Sequence, residues 1–334
     1  SNTTGHSNTA QGYQSLYSNT TGAYNTAQGR DSLYYNTTGV NNTAQGYTSL
    51  HLNTTGNNNT AQGFQSLFSN TTGLSNTAQG YYSLRSNTTG NYNTATGYQS
   101  LYANTTGVNN TAQGYQSLRS NTTGYSNTTT GYYSLYSNTT GNYNTATGYY
   151  SLQANTTGER NTAQGRSSLY ANTTGDNNTA QGYLSLYSNT TGTQNTATGY
   201  SSLYSNTTGN YNTAVGYEAG RYQSDSSTNP SGSNSVYIGY NTKASGSVDA
   251  ETNQIVIGSE AVGLGSNTAV LGNDSITTTA LKGNVGIGTI DPDSLIEASA
   301  AGLAQIKVTN STAALELIVL AHSNGNGYIG TATN

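Results

Sequence analysis

Along residues 1–216 the apolar positions return neither every second residue nor every 3.6 residues, but every seventeen. Leu16 recurs as Leu33, Leu50, Leu67, Leu84, Leu101, Leu118, Leu135, Leu152, Leu169, Leu186 and Leu203, and an alanine runs in step from Ala10 to Ala214, replaced once by Thr129. Between them lie Asn, Thr, Ser, Gly and Tyr. A glycine closing the tetrapeptide NTTG runs from Gly5 and Gly22 to Gly209 through twelve intervals with no insertion or deletion. A second glycine keeps the same step from Gly12 and Gly29 to Gly216. A fixed short period means that one small unit is stacked on copies of itself. Seventeen residues with two glycine-marked turns are too few for a helical hairpin and suit one coil of a parallel β-solenoid. The glycines then supply positive φ or close backbone approach at the corners. At ~4.8 Å per coil the twelve intervals span roughly 58 Å.

Stacking sets each residue on its counterpart one coil away. Asn8, Asn25, Asn42, Asn59, Asn76 and Asn93 are expected to form an amide ladder, as are Asn2, Asn19 and Asn36, because stacked amides stabilise stacked strands. Comparing the copies separates inside from outside. Ser15, Leu16 and their counterparts are constant, whereas the pair after NTTG runs through His-Ser, Ala-Tyr, Val-Asn, Glu159-Arg160 and Asp176-Asn177. That pair is expected to face water, and so are the varied positions equivalent to Gln14 and Tyr17. Burying one leucine contributes about 1.5–3 kcal/mol, while ordering each residue costs roughly 1–2 kcal/mol. So thin a core predicts an oligomer, expected as a parallel homotrimer whose leucine columns meet at the shared axis.

The rhythm breaks near Tyr217. Residues 221–234, with Pro230, read as a loop-like insertion, followed by short β-branched runs in 235–246, 253–265 and 267–275 that continue the solenoid with shorter, more apolar coils. The organisation predicted is regular coils over 1–216, irregular coils over 217–282, a turn-rich junction over 283–295 and the start of a small β-domain over 296–334.

Composition narrows the function classes. The 334 residues include 41 Gly, 30 Tyr, no Cys and no Met, with 7% charged residues and a formal net charge of -4. Low charge with abundant Asn, Thr, Ser and Gly suits disorder or a solenoid, and the strict period selects the solenoid. The nine Lys and Arg are scattered, so no basic footprint for nucleic acid is expected. Without cysteine there is neither a disulfide framework nor a thiolate metal site. There is no run of eighteen apolar residues and no charged-then-apolar pattern at residue 1, so neither a membrane span nor a signal peptide is expected in these residues. Because residue 1 falls inside a repeat, the chain is expected to be a segment of a longer or processed protein.

The alternation of NTTG with NTA-x-GY-x-SLYS resembles the repeat arrays of tail-fibre-domain proteins in phages and bacteria. The runs SVYIG, IVIGSEAVGLG and AVLGND resemble the heads of trimeric autotransporter adhesins, and NTAVLGNDSITTTALKGNVGIGT (267–289) is similar to the junction before the C-terminal domains of phage tail fibres. Together these cover nearly the whole chain to about residue 295. The resemblance implies a left-handed trimeric β-roll, an extracellular location and attachment to a cell-surface receptor or polysaccharide. The family's C-terminal self-cleaving chaperone is not matched by these residues and is expected to have been removed or to lie beyond Asn334, and the membrane barrel of the autotransporters is not matched either.

Little in the sequence suggests catalysis. His6, His51 and His322 have no nucleophile at a fixed offset and read as surface histidines. GNVGIGT lacks the strand-then-helix context of a phosphate loop, and Asp291-Pro292-Asp293 offers too few ligands for calcium. A polysaccharide-cleaving enzyme needs paired carboxylates, and in residues 1–216 only Asp31, Glu159 and Asp176 occur, with no two expected close in register. No catalytic, cofactor or metal site is therefore expected. Each NTTG carries an N-glycosylation acceptor pattern, read first as ladder and turn chemistry. Tyr or Phe follows the second glycine in eleven of thirteen copies, all but Arg30 and Arg166. Such a column is structural first, with Tyr13, Tyr47, Tyr81, Tyr98 and Tyr115 as candidates to lie flat on sugar rings. Ice binding is disfavoured because Thr20 and Thr21 are adjacent and point to opposite sides of an extended chain. The expected function is a non-enzymatic, rod-like fibre for cell attachment, foremost a phage tail fibre. A bacterial adhesin or extracellular filament is the rival, and recognition is expected beyond Tyr217.

Overall fold

A computed structural model of the chain describes residues 2–225, 228–229, 231–246, 251–277 and 279, together with the backbone of five later strands. The chain is all-β, with no helix among the described residues. Strands β1 (Thr9–Gln11), β2 (Thr26–Gln28) and their successors through β13 (Thr213–Val215) continue into β14 (Val236–Ile238), β15 (Ile255–Ile257) and β16 (Ala269–Leu271). All sixteen lie in chain order in one parallel sheet. Register is in step, with Thr9 on Thr26, Ala10 on Ala27 and Gln11 on Gln28. At ~4.8 Å per strand the stack is about 70 Å long.

Each coil has only three strand residues, yet its remaining backbone is also hydrogen-bonded between coils. The N–H groups of Thr20, Thr21 and Gly22 all donate to the Thr37 carbonyl, at 3.0, 3.1 and 3.2 Å. The Leu33 N–H donates forward to Ser49, whereas those of Gly29 and Asp31 donate back to Gln11 and Tyr13. This two-way pattern follows from left-handed backbone at three non-glycine positions of each coil, for example Asn109 (φ 58), Gln116 (φ 51) and Leu118 (φ 54). A branched residue in that region costs about 1–2 kcal/mol. The conformation persists because it turns the Leu118 side chain inward and leaves its N–H bonded to Ser134 at 2.9 Å.

The two corner glycines act differently. The Gly12 column holds φ between 126 and 136 through Gly216, a region open essentially to glycine. The Gly5 column lacks this; a Cβ on Gly22 would lie 2.4 Å from Asn19 Oδ1 and 2.5 Å from the Gly39 carbonyl oxygen. It therefore permits close approach of neighbouring coils.

The core lies inside each coil of a single chain. From Leu33 to Leu203 every leucine of the column is 0–1% exposed, and Ala27, Ala44 and their counterparts are fully buried. Leu16, in the first coil, is only partly buried. This corrects the expectation that the leucine columns meet at an axis shared between chains. Buried amides make the interior dense without much apolar area. Asn104 Nδ2 donates to Asn87 Oδ1 at 2.8 Å and to the Gly107 carbonyl at 3.0 Å. Asn110 Nδ2 donates to the Gly124 carbonyl at 2.8 Å, and its Oδ1 accepts the Asn127 N–H at 3.0 Å. Buried amides bonded in this way avoid the desolvation penalty of an unpaired polar group. Both asparagine ladders run through the regular coils, and Thr129 is accommodated in the alanine column by hydrogen bonding with Ser117 Oγ.

After β13 the coils lengthen before they shorten. Thr213 pairs with Val236, Val236 with Ile255 and Ile255 with Ala269, giving spacings of 23, 19 and 14 residues. Only the last is shorter than seventeen, so the expectation of shorter coils from here on is corrected. The described part of 221–234 is tied to the stack rather than loose. Gln223 bridges Ala244, Ser233 bridges Thr252, and Gln223 and Asn229 are buried. Where the leucine column would continue stands Gly220, and the Tyr237 ring fills the space. A Cβ on Gly220 would lie 2.7 Å from that ring and 3.0 Å from Leu203 Cδ2.

The chain divides into two compact units, Ser1–Ser275 and Ile276–Asn334. In the second, β17 (Val285–Ile287) pairs in parallel with β18 (Ile296–Ala298). There β19 (Ala304–Thr309), β20 (Glu316–Ala321) and β21 (Gly327–Ala332) form an antiparallel sheet. A strand thus lies within the stretch expected as a junction. Asp291-Pro292-Asp293 and His322 lie outside the described residues.

Candidate functional site

The corner after each strand carries the chain's most distinctive chemistry. The residue after Gly12 and its counterparts forms an outward column whose rings stack coil on coil. Phe64 lies 5.2 Å from Tyr47 and 5.1 Å from Tyr81, and the stack continues through Tyr98, Tyr115, Tyr132 and Tyr149 at 5.0–5.4 Å with ring planes within 12°. The two arginines that interrupt the aromatic pattern occupy places in the same stack. The Arg30 guanidinium sits 5.6 Å from the Tyr13 ring and 5.8 Å from Tyr47, and that of Arg166 sits 5.5 Å from Tyr149 and 5.6 Å from Tyr183.

A second column runs beside it. Tyr17 stacks on Tyr34 and His51 on Phe68, each at 5.2 Å, with His51 tilted 31° to Tyr34 at 5.4 Å, and Tyr170, Tyr187 and Tyr204 stack at 5.0–5.1 Å. Between the columns stand Tyr82, Tyr133 and Tyr150, with centroids 4.2, 4.5 and 4.3 Å from Tyr81, Tyr132 and Tyr149. Both the second column and the intervening one were expected to be exposed. Within the stack they are mostly half-buried, and Thr48, Ser167 and Ser201 are buried, because coil-on-coil packing covers each side chain with its counterparts.

Stacking also corrects the sugar-platform reading of Tyr47, Tyr81, Tyr98 and Tyr115. They remain 38–43% exposed, but a neighbouring ring or guanidinium covers both faces of each. What reaches solvent is ring edge and phenolic hydroxyl. Tyr13, 65% exposed, meets Arg30 on one side.

Packing also shifts the phenols. Burial raises Tyr115, hydrogen bonding with Tyr82 and then burial raise Tyr81, and hydrogen bonding with Tyr149 followed by burial pushes Tyr150 up to about 12. An unfolded tyrosine ionises near pH 10, so the stability that the neutral Tyr150 contributes is complete below that pH and declines as pH rises towards about 12. Phenolate absorbance of the folded chain is expected to lag behind that of the denatured chain on alkaline titration. Superimposable curves would contradict the packed columns.

Elsewhere the polar candidates are occupied. His51 Nδ1 lies 2.9 Å from the Asp31 carbonyl oxygen, and His6 packs edge-on against Tyr24. Glu159 and Asp176, expected to be out of register, are seventeen apart and share one column. Asp176 Oδ1 accepts the Glu159 N–H at 2.7 Å, while Glu159 accepts Asn142 Nδ2 at 2.9 Å and Arg160 Nη1 at 3.2 Å. No group of three metal-ligating side chains occurs among the described residues. From Asn19 to Asn206 the asparagine of NTTG is at most 1% exposed, and the folded coil leaves no accessible acceptor amide there. Asn41, Asn58, Asn109 and Asn177, in N-N-T sequences that the sequence reading passed over, are exposed. A cleft of about 540 Å³ near β16 is lined by Glu260, Val262, Leu264, Val270, Asn273 and Asp274. No family model, curated protein or solved structure matches the chain.

Proposed function

We propose that this chain is a stiff, non-enzymatic fibre that carries attachment to a cell surface, with a phage tail fibre as the leading case. The observation that carries the reading is the single uninterrupted stack of sixteen parallel strands. Such a stack spends its sequence on length and rigidity, and repeats one outer surface at every step. Any contact made by that surface is multivalent, so weak individual contacts add through effective concentration. The resemblance of the repeats and of 267–289 to fibre proteins points the same way and supports an extracellular location. Trimeric assembly remains part of the proposal, with the chains joined through outer surfaces since the leucines are internal.

Fluorescently labelled full-length chain is expected to bind saturably to at least one strain in a panel of bacterial cells, and less after periodate oxidation of surface sugars. It is expected to release no reducing ends from those sugars. Absence of saturable binding to every strain would contradict attachment, and release of reducing ends would contradict the non-enzymatic reading.

A further inference from the structure

The second column continues from Phe68 through Arg85, Tyr102, Arg119 and Tyr136, and there two arginines flank a single ring. The guanidinium of Arg85 lies 5.9 Å from the Tyr102 centroid and that of Arg119 lies 5.2 Å from it. They come from the coils before and after Tyr102. Phe68 backs Arg85 at 5.1 Å, and Tyr136 backs Arg119 at 5.7 Å. Each Nε is held by a glutamine, Arg85 by Gln65 Oε1 at 3.0 Å and Arg119 by Gln99 Oε1 at 3.1 Å. Arg119 Nη1 also reaches the Tyr136 hydroxyl at 3.3 Å. Two cations are thus ordered on one face with no carboxylate partner among the described residues. The acids on this face, Asp31 and Glu218, pair instead with Arg30 and Arg221.

We propose that Arg85, Tyr102 and Arg119 bind an extended acidic polysaccharide lying along the rod, with an acidic group on alternate sugars; the inference deepens the attachment reading and rests on it. Two coils separate the guanidiniums, about 10 Å along the stack. That is roughly one Debye length at 0.1 M salt, so their fields combine at a ligand close to both. Guanidinium forks suit carboxylates in bidentate contact. A chain of sugars supplies anions at this interval because one sugar ring is about as long as one coil is deep. Neighbouring phenol edges can then hydrogen-bond to sugar hydroxyls between the charged points. Single-stranded nucleic acid fits less well, since it needs open aromatic faces on which to stack its bases. These faces are covered.

Isothermal titration of the full chain with a hyaluronan octasaccharide, which carries one carboxylate per disaccharide, is expected to show saturable binding. Affinity should fall at least tenfold in R85Q/R119Q, stay unchanged in R160Q and weaken as salt rises. Neutral cellooctaose is expected not to bind. If the double variant fails to fold, R85K/R119K retains the charge but loses the planar fork, and the same tenfold loss is expected. Undiminished binding in either double variant that folds, equal binding of cellooctaose, or no binding of the octasaccharide by folded chain would overturn the proposal. So would polyglutamate of matched charge binding as tightly, which would indicate charge alone, or concentration-dependent self-association abolished by R85Q/R119Q, which would make the face a chain–chain contact. Retained cell binding with lost octasaccharide binding counts against this site alone, and the reverse counts against the attachment reading.

Discussion

Leu101→Asp is expected to abolish cooperative folding of the central coils, with a loss on the order of 4 kcal/mol or more. Leu101 is fully buried, and its left-handed backbone (φ 51) aims the side chain into the coil with no route to solvent. A carboxylate there has no cationic partner. The control is Val108→Asp, at the first variable position after NTTG. There Asn or Asp side chains accept the N–H one coil back, as Asp176 does from Glu159 at 2.7 Å and Asn91 does from Leu74 at 2.7 Å. An aspartate at 108 can accept the Asn91 N–H in the same way, so the expected change is within about 0.5 kcal/mol. Circular dichroism melts of the two variants would check this. Equal destabilisation would mean that inside and outside are exchanged.

Gly114→Ala is expected to cost about 3 kcal/mol or more, from backbone strain together with overlap of the added methyl with the next coil. Gly114 has φ +134, and an added Cβ would lie 2.4 Å from the carbonyl oxygen of Gly131 and 2.8 Å from its carbonyl carbon. Both obstacles are backbone, so no side-chain movement relieves them. Because a solenoid is stabilised through nearest-neighbour contacts, the damage should concentrate between β7 (Thr111–Gln113) and β8 (Thr128–Thr130). Hydrogen exchange is expected to speed up there and to remain slow near β3 (Thr43–Gln45). A melting temperature within a degree of the parent would contradict the assignment of this glycine.

The coil, its period and its constant inner residues were legible because stacked copies must share one interior. A position that is Leu twelve times over cannot easily be surface. What stayed hidden depended on conformation. Nothing in SLYS announces that the leucine has positive φ, since the sequence signal for that region is glycine or asparagine, yet the strain at Leu118 is what closes the coil around its own core. Missing that inward turn led the leucines to be placed between chains. The exchange of Leu203's successor for Gly220 and Tyr237 was unreadable for a related reason. The two residues that share one space are seventeen positions apart, and nothing local couples them.

At the aromatic corner, sequence located the tyrosine column but not which parts of the rings are free. Tyr98 reads as an exposed platform until the 5.0 Å separation from Tyr115 and the 5.4 Å separation from Tyr81 close both faces. The arginines looked like interruptions at Arg30 and Arg166, and unremarkable surface at Arg85 and Arg119. Only stacking shows that a guanidinium can stand in for a ring. The shared column of Glu159 and Asp176 is legible in their spacing of seventeen, one coil.

Each seventeen-residue coil closes around its own leucine within one chain. Electron cryomicroscopy of the chain would decide this by locating leucine density in cross-section and measuring the axial rise. A rise of about 4.8 Å per coil is expected, with a separate leucine-filled core within the outline of every chain, however many chains associate. Leucine density gathered on an axis shared between chains would contradict it.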